Sequence, residues 1–269
     1  MIFFVVCLAT FAYGQQPATS SPSPTPTPAK SDKKQNQSAK DAFKNPTAEQ
    51  VVESSIFIYG LGNGRVTLNQ IRKTTLERGK ITVTNSAGRT DQATYQRWVQ
   101  RADTLDKEKI RLDQEFSTAR YSLVFNESKI YGILDNSVFV PREDASKAFE
   151  NQILHGLEAL LRYKENESAI TLAGKEKIMG VDYYLIDVAD KQSRKTRFYI
   201  SAKTFRVMML DYDDDGVKYR RKFYDYNYAQ GTLVPFRTTL TADDKLVEET
   251  EVGTVTFGQK IDETLFSGS

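Results

Sequence analysis

The chain has 269 residues, 39% hydrophobic and 27% charged, with 37 basic against 35 acidic side chains and a formal net charge of +2. So even a balance argues against a strongly charged partner such as nucleic acid. A single cysteine excludes an intrachain disulfide framework.

Ile2–Ala12 is an apolar run that ends in Ala12-Tyr13-Gly14, a small-x-small cleavage pattern. It is too short to span a bilayer core of about 30 Å as a helix and reads as a secretory signal over residues 1–14. No Lys or Arg precedes the run, a departure from the usual basic start. Cys7 lies inside it without a lipobox, so the chain after cleavage has no thiol to act as ligand or nucleophile. Residues 15–44 follow as a tether. Pro17–Pro28 holds five of the eight prolines, alternating with Ser and Thr, and Lys30–Lys44 is almost devoid of apolar residues. Proline removes backbone donors, and so polar a segment buries too little surface to offset its ordering entropy.

Residues 45–269 are expected to fold as one domain. Pro46, Thr47 and Gln50 have the spacing of a helix start with a capping box, and Val51, Val52, Ile56 and Tyr59 make one apolar stripe that stops at Gly60. The cluster Gly60-Leu61-Gly62-Asn63-Gly64 follows a helix instead of joining a strand to one, so it is a turn and not a phosphate loop. Period-two alternation then predicts strands at Ile71–Leu76, Lys80–Thr84, Ala93–Gln100, Lys109–Phe116, Arg120–Phe125, Lys129–Leu134 and Ser137–Val140. Past Pro141, apolar residues at helical spacing from Ala145 to Leu161 predict one continuous helix ending near Tyr163. Strands resume at Ala169–Ala173, Asp182–Val188 and Thr196–Ile200. They continue into a C-terminal meander punctuated by Asp213-Asp214-Asp215-Gly216, Gln230-Gly231 and Asp243-Asp244-Lys245. The fold class is therefore α+β and mostly antiparallel β: a curved, incomplete barrel of eleven or twelve strands around one or two helices.

Several patterns carry chemical suggestions. Asp211, Asp213 and Asp215 ahead of Gly216 resemble the opening of a calcium loop, but the twelfth position is Lys222 where a bidentate carboxylate is needed. A hairpin turn is the expectation, with these three aspartates only a weak metal candidate. His155, the one histidine, has no nucleophile motif near it and reads as structural. G-x-S-x-G, H-E-x-x-H and Cys-x-x-Cys are all absent from the sequence, so neither an enzyme nor a cofactor is expected. Lys218, Arg220 and Lys222 alternate on one strand and run into Tyr224, Tyr226 and Tyr228, which reads as an outward basic and aromatic rim. The candidate lining of an apolar interior is Phe149, Ile153, Leu157, Leu160 and Leu161 on the helix. It faces Tyr184, Ile186, Val188, Phe198, Ile200, Met208 and Leu210 on the sheet.

The segments Tyr183–Val188, Arg197–Ser201 with Lys203-Thr204, Phe223–Tyr226, Gly231–Pro235 and Ile261–Ser267 together resemble the LolA/LolB-like superfamily of outer-membrane lipoprotein-sorting proteins. The likeness covers residues 182–267 best; the N-terminal half matches in the order of its elements. It implies an incomplete barrel whose concavity takes acyl chains of lipids or lipoproteins reversibly, at about 25 cal/mol per Å² of apolar surface removed from water. The implied setting is the periplasm, as a monomer, with membrane proteins of lipoprotein transport as partners. The same fold also resembles envelope-stress regulators, which leaves a sensor or interaction module as the alternative. An entry-gate arginine like that of the best-known carriers is not identifiable in the sequence.

Overall fold

The computed structural model describes residues 45–85 and 87–267. The expected signal sequence and tether, residues 1–44, lie outside the described residues. From Pro46 onward the chain forms one compact unit.

Helix α1 spans Ala48–Tyr59 and starts as its sequence dictates. Thr47 Oγ1 accepts from the Gln50 N–H at 3.2 Å and Gln50 Oε1 accepts from the Thr47 N–H at 2.8 Å, so two otherwise orphan donors are satisfied. Its buried stripe is Val51, Val52, Ile56 and Tyr59. Past the Gly60 turn a second helix, α2, covers Gly64–Ile71, where the sequence reading placed a loop and the start of a strand. One residue on it, Leu68, is buried, so its apolar signal is weak.

Among the described residues thirteen strands follow, one more than the upper expectation, all in one antiparallel sheet. They are β1 (Thr74–Thr84), β2 (Thr90–Gln100), β3 (Lys109–Phe116), β4 (Arg120–Asn126), β5 (Lys129–Leu134) and β6 (Ser137–Phe139), then β7 (Ala169–Ile178), β8 (Val181–Ala189), β9 (Lys195–Ser201), β10 (Val207–Asp214), β11 (Val217–Ala229), β12 (Thr232–Ala242) and β13 (Lys245–Phe257). The order across the sheet runs β6 to β1, then β13 down to β7. Two meanders are thus joined side by side through β1 and β13, and the strands at the two edges, β6 and β7, do not pair. The sheet curves without closing into a barrel.

This order explains where the central helices sit. The chain must travel from the β6 edge to the β7 edge, and it does so through α3 (Glu143–Leu154) and α4 (Leu157–Leu161). The expected single helix is broken at His155-Gly156, where Gly156 leaves the helical region (φ −79°, ψ 174°) and starts α4; a Cβ there would stand 2.7 Å from the Gln152 carbonyl oxygen, so the position suits glycine. The two strands expected at Ile71–Leu76 and Lys80–Thr84 are one strand, β1. The expected break falls at Gly79, which sits opposite a bulge in β13: Arg78 pairs with Thr254 and Gly79 with Val252, leaving Gly253 as the extra residue, and a Cβ added at Gly79 would lie 2.1 Å from the Glu251 carbonyl oxygen.

The interior holds two separate apolar clusters. The larger joins Val51, Ile56 and Tyr59 of α1 and Leu160 and Leu161 of α4 to the β8–β12 wall. The smaller packs Phe149 and Ile153 of α3 on Ile81, Tyr95, Ile110 and Leu123 of β1–β4. On the outer face of the β2–β5 region, the chain end folds back so that Phe266 packs on Val124 and Ile133. Lys109 pairs with Glu263, and Arg111 Nη1 donates to the Leu265 carbonyl at 2.8 Å. No described helix is long and apolar enough to cross a membrane.

Candidate functional site

Between the two apolar clusters lies a cavity of about 190 Å³. Its apolar wall comes from Ile81, Val99, Ile110 and Leu112 on β1–β3, from Ile153 and Leu157 on the helices, and from Val234, Val252 and Phe257 on β12 and β13. An enclosed apolar space of roughly 150 Å³ suffices to hold benzene, so this one admits a small apolar body or the end of a chain.

One side of the cavity opens on a seam in the sheet. β12 and β13 pair only from Arg237–Ala242 to Lys245–Glu251. Residues 232–235 of β12 pair with β11 alone, while the end of β13 pairs with β1. Pro235 sits in this stretch and has no N–H to offer, which fits a strand with one unpaired side. Side chains stitch the gap. Arg72, just past α2, donates from Nη2 to the Leu233 carbonyl at 2.8 Å and from Nε to Thr232 Oγ1 at 3.0 Å, and Gln230 Oε1 accepts the Phe257 N–H at 2.5 Å.

The remaining wall is ionic, and its ion pairs continue behind it through Glu108 and Arg162. Glu158 receives Arg72 at 2.5 Å and Arg101 at 3.4 Å; Glu108 receives Arg101 at 2.6 Å and Arg162 at 3.2 Å; Arg221 pairs with Glu248 at 2.9 Å. Glu108 has no solvent exposure at all. Burial alone would raise the Glu158 carboxyl, but the neighbouring Arg101 and Arg72 outweigh it and hold it at about 2. Arg97, inward on β2, is the exception. Its side chain makes no hydrogen bond or ion pair with any described residue, and its Nε is buried without a partner. Its cross-strand neighbour Glu77 is instead taken by the Tyr95 hydroxyl at 2.8 Å. Burial draws the Arg97 guanidinium below its ordinary pKa, and Glu77 offsets this only in part.

No family model matches the chain, and no curated protein matches it in sequence. Solved structures do match. A LolA superfamily protein from Nitrosomonas europaea aligns over 82% of this chain and 98% of its own, with a TM-score of 0.56 at 10% identity. A DUF1329 family protein from Desulfovibrio piger aligns over 83% and 98%, with a TM-score of 0.53 at 12% identity. The fold is LolA/LolB-like. At such identities the likeness concerns architecture: an unclosed antiparallel sheet wrapped around helices.

Within this LolA-like frame the candidate lining residues fall in several places. Ile153 and Leu157 face the cavity. Phe149 packs in the smaller cluster beside it. Leu160, Leu161, Tyr184, Ile186, Val188, Phe198, Ile200 and Leu210 are packed together with α1 in the larger cluster. Met208 sits with Met209, Tyr183, Leu185 and Tyr199 in a different cluster, where the pairing of β10 with β9 shifts register.

Asp211, Asp213 and Asp215 do not converge. Asp211 accepts both Arg220 nitrogens at 2.7 Å and the Tyr199 hydroxyl at 2.9 Å, Asp213 caps the Gly216 N–H at 3.1 Å, and Asp215 meets Lys147. The tyrosine rim is also divided. Asp225 takes φ +52° and interrupts the pairing, after which Tyr226 turns inward beside Phe223 and meets Tyr59 Oη at 2.8 Å. Tyr224 instead stacks with Arg237, 4.3 Å from ring centroid to guanidinium carbon. His155 is structural in its contacts: Nδ1 bonds Thr196 Oγ1 at 2.7 Å, and the ring stacks on Tyr212 at 4.2 Å.

Arg72, Arg97, Arg101 and Glu158 escaped the sequence reading. For Arg97 a signal existed: it shares strand parity with Ala93, Tyr95 and Val99, an otherwise inward-facing set.

Proposed function

We propose that the chain is an exported binding protein that reversibly buries an acyl chain in the cavity of its half-barrel. The observation that carries this reading is an apolar space left between two packed clusters, beneath a sheet that does not close. Residues 1–14 direct export on this reading, residues 15–44 form a tether, and residues 45–269 act as one periplasmic, monomeric lipid-binding domain. The acyl tail lies against Ile153 and Leu157. Phe149 and the other candidate residues form the packed floor behind it, and Met208, in its separate cluster, contributes at most indirectly. Transfer is non-catalytic and draws its affinity from apolar area removed from water.

Native mass spectrometry of protein isolated from its host envelope tests this reading. A bound mass that extracts as an acyl-chain compound, together with competitive displacement of a fluorescent fatty acid, is the expected result. Ligand-free protein that also fails to take up the fatty acid contradicts it. A second reading, an interaction module that binds a membrane protein, is favoured by the unpaired β6 edge with exposed Val138 and Val140. Recovery of a membrane protein, with no lipid, in the same isolation supports that alternative.

A further inference from the structure

We infer that the cavity selects an amphiphile with a single negative charge on its head, a fatty carboxylate, and that Arg97 is the residue that reads that charge. This rests on the acyl-chain reading above and adds to it the chemical class of the head group.

The first observation is a count of charge. The cavity wall and the ion pairs that continue from it hold five arginines (Arg72, Arg97, Arg101, Arg162, Arg221) and four glutamates (Glu77, Glu108, Glu158, Glu248). One positive charge is left over in a region screened from water. The second observation locates it. Arg72, Arg101, Arg162 and Arg221 each have a carboxylate within 3.4 Å, whereas Arg97 has none. Glu77, the one acid directly across from Arg97, is held by Tyr95.

An arginine stays protonated even when desolvated, and its fork of donors fits the two oxygens of a carboxylate. A monoanion restores neutrality; a dianion such as a phosphate monoester overshoots it by one. The apolar side of the same cavity (Val99, Ile110 and Ile153) receives the tail. Its volume of about 190 Å³ suits a medium chain or the first part of a longer one. Tyr95 acts as a positioning residue: by engaging Glu77 it keeps that carboxylate from occupying the guanidinium.

The test compares two probes of equal tail, octanoate and 1-octanol, titrated into the full chain by calorimetry. Hydrogen bonds to a charged group are expected to give octanoate an advantage of about ten- to a hundred-fold. In Arg97→Met, which keeps the stem and removes the charge, that advantage should fall to roughly one while octanol affinity holds. Arg97→Lys should retain part of it. The comparison within the unaltered chain keeps the inference falsifiable even if Arg97→Met folds poorly. Equal affinity for the two probes in the unaltered chain overturns the role of Arg97 and leaves the acyl-chain reading intact. So does a preference that survives in Arg97→Met. If neither probe binds the unaltered chain, the acyl-chain reading fails and this inference falls with it.

Discussion

Arg72 Nη2 donates to the carbonyl of Leu233 at 2.8 Å, and so a side chain from the end of α2 supplies the donor that β13 withholds from β12. The same guanidinium holds Glu158 at 2.5 Å and lies over the rings of Phe257 and Tyr59. Removing it leaves a buried carbonyl unpaired and takes one of two cations from Glu158. Arg72→Met is therefore expected to lower the unfolding free energy by about 3–5 kcal/mol in urea titrations. A loss below about 1 kcal/mol would mean that water already enters the seam.

Gly79 is the second point on which the β1–β13 join depends. Its absent Cβ lets the Glu251 carbonyl come to 2.1 Å of where that atom would be, and Tyr95 Cε1 to 2.9 Å. Gly79→Ala is expected to cost about 3 kcal/mol, since neither backbone nor ring can yield freely. Gly253→Ala is the control: its nearest atom is at 3.5 Å, and little change in melting temperature is expected.

Much of the architecture was legible in the sequence. Alternation and Asp/Gly turns gave the antiparallel meanders, and Thr47 with Gln50 gave the first helix start. The departures have local causes. Gly79 looks like a terminator because sequence does not reveal that Glu251 approaches it from residues far along the chain. In α2 the apolar residues are too few to betray a helix. The cavity itself was illegible for a general reason. Its ionic wall and the ion pair behind it are built from Arg72, Arg101, Glu158 and Glu108, residue types that lie on the surface in most chains. Only the fold brings them to mutual distances of 2.5–3.4 Å and makes burial tolerable. Ile153 and Leu157 were found by helical spacing, while Val99, Ile110 and Val252 look like any strand core.

His155 should give the protein a marked acid sensitivity. Burial, with Arg194 adding to it, lowers the imidazole to about 4 against an ordinary 6.5. The unfolded chain then takes up the proton first. The contribution is fully present above pH 6.5 and is lost as pH falls from 6.5 to about 4. At 1.36 kcal/mol per unit the loss is about 3 kcal/mol. His155→Asn is expected to flatten stability against pH in that window, read from urea midpoints. The Glu158 contribution, held by Arg101 and Arg72, is lost only at lower pH, as it falls from 4.5 toward about 2.

Calcium should leave the protein unchanged. Asp211 is committed to Arg220 and Tyr199, and Asp215 to Lys147, so a cation would have to displace existing partners. Millimolar calcium is expected to shift neither the melting temperature nor the tyrosine fluorescence. A stabilisation that disappears in Asp213→Asn would restore the metal reading of this turn.

The most direct test of the half-barrel as an acyl-chain receptor is methyl NMR during titration with a medium-chain fatty acid. Methyl groups of Val99, Ile110, Ile153, Leu157 and Val252, which border the cavity, are expected to shift and saturate together. Those of Ile186, Val188 and Ile200, packed in the larger cluster, should stay in place. Shifts confined to the packed wall, or no saturable shift at all, would contradict the account.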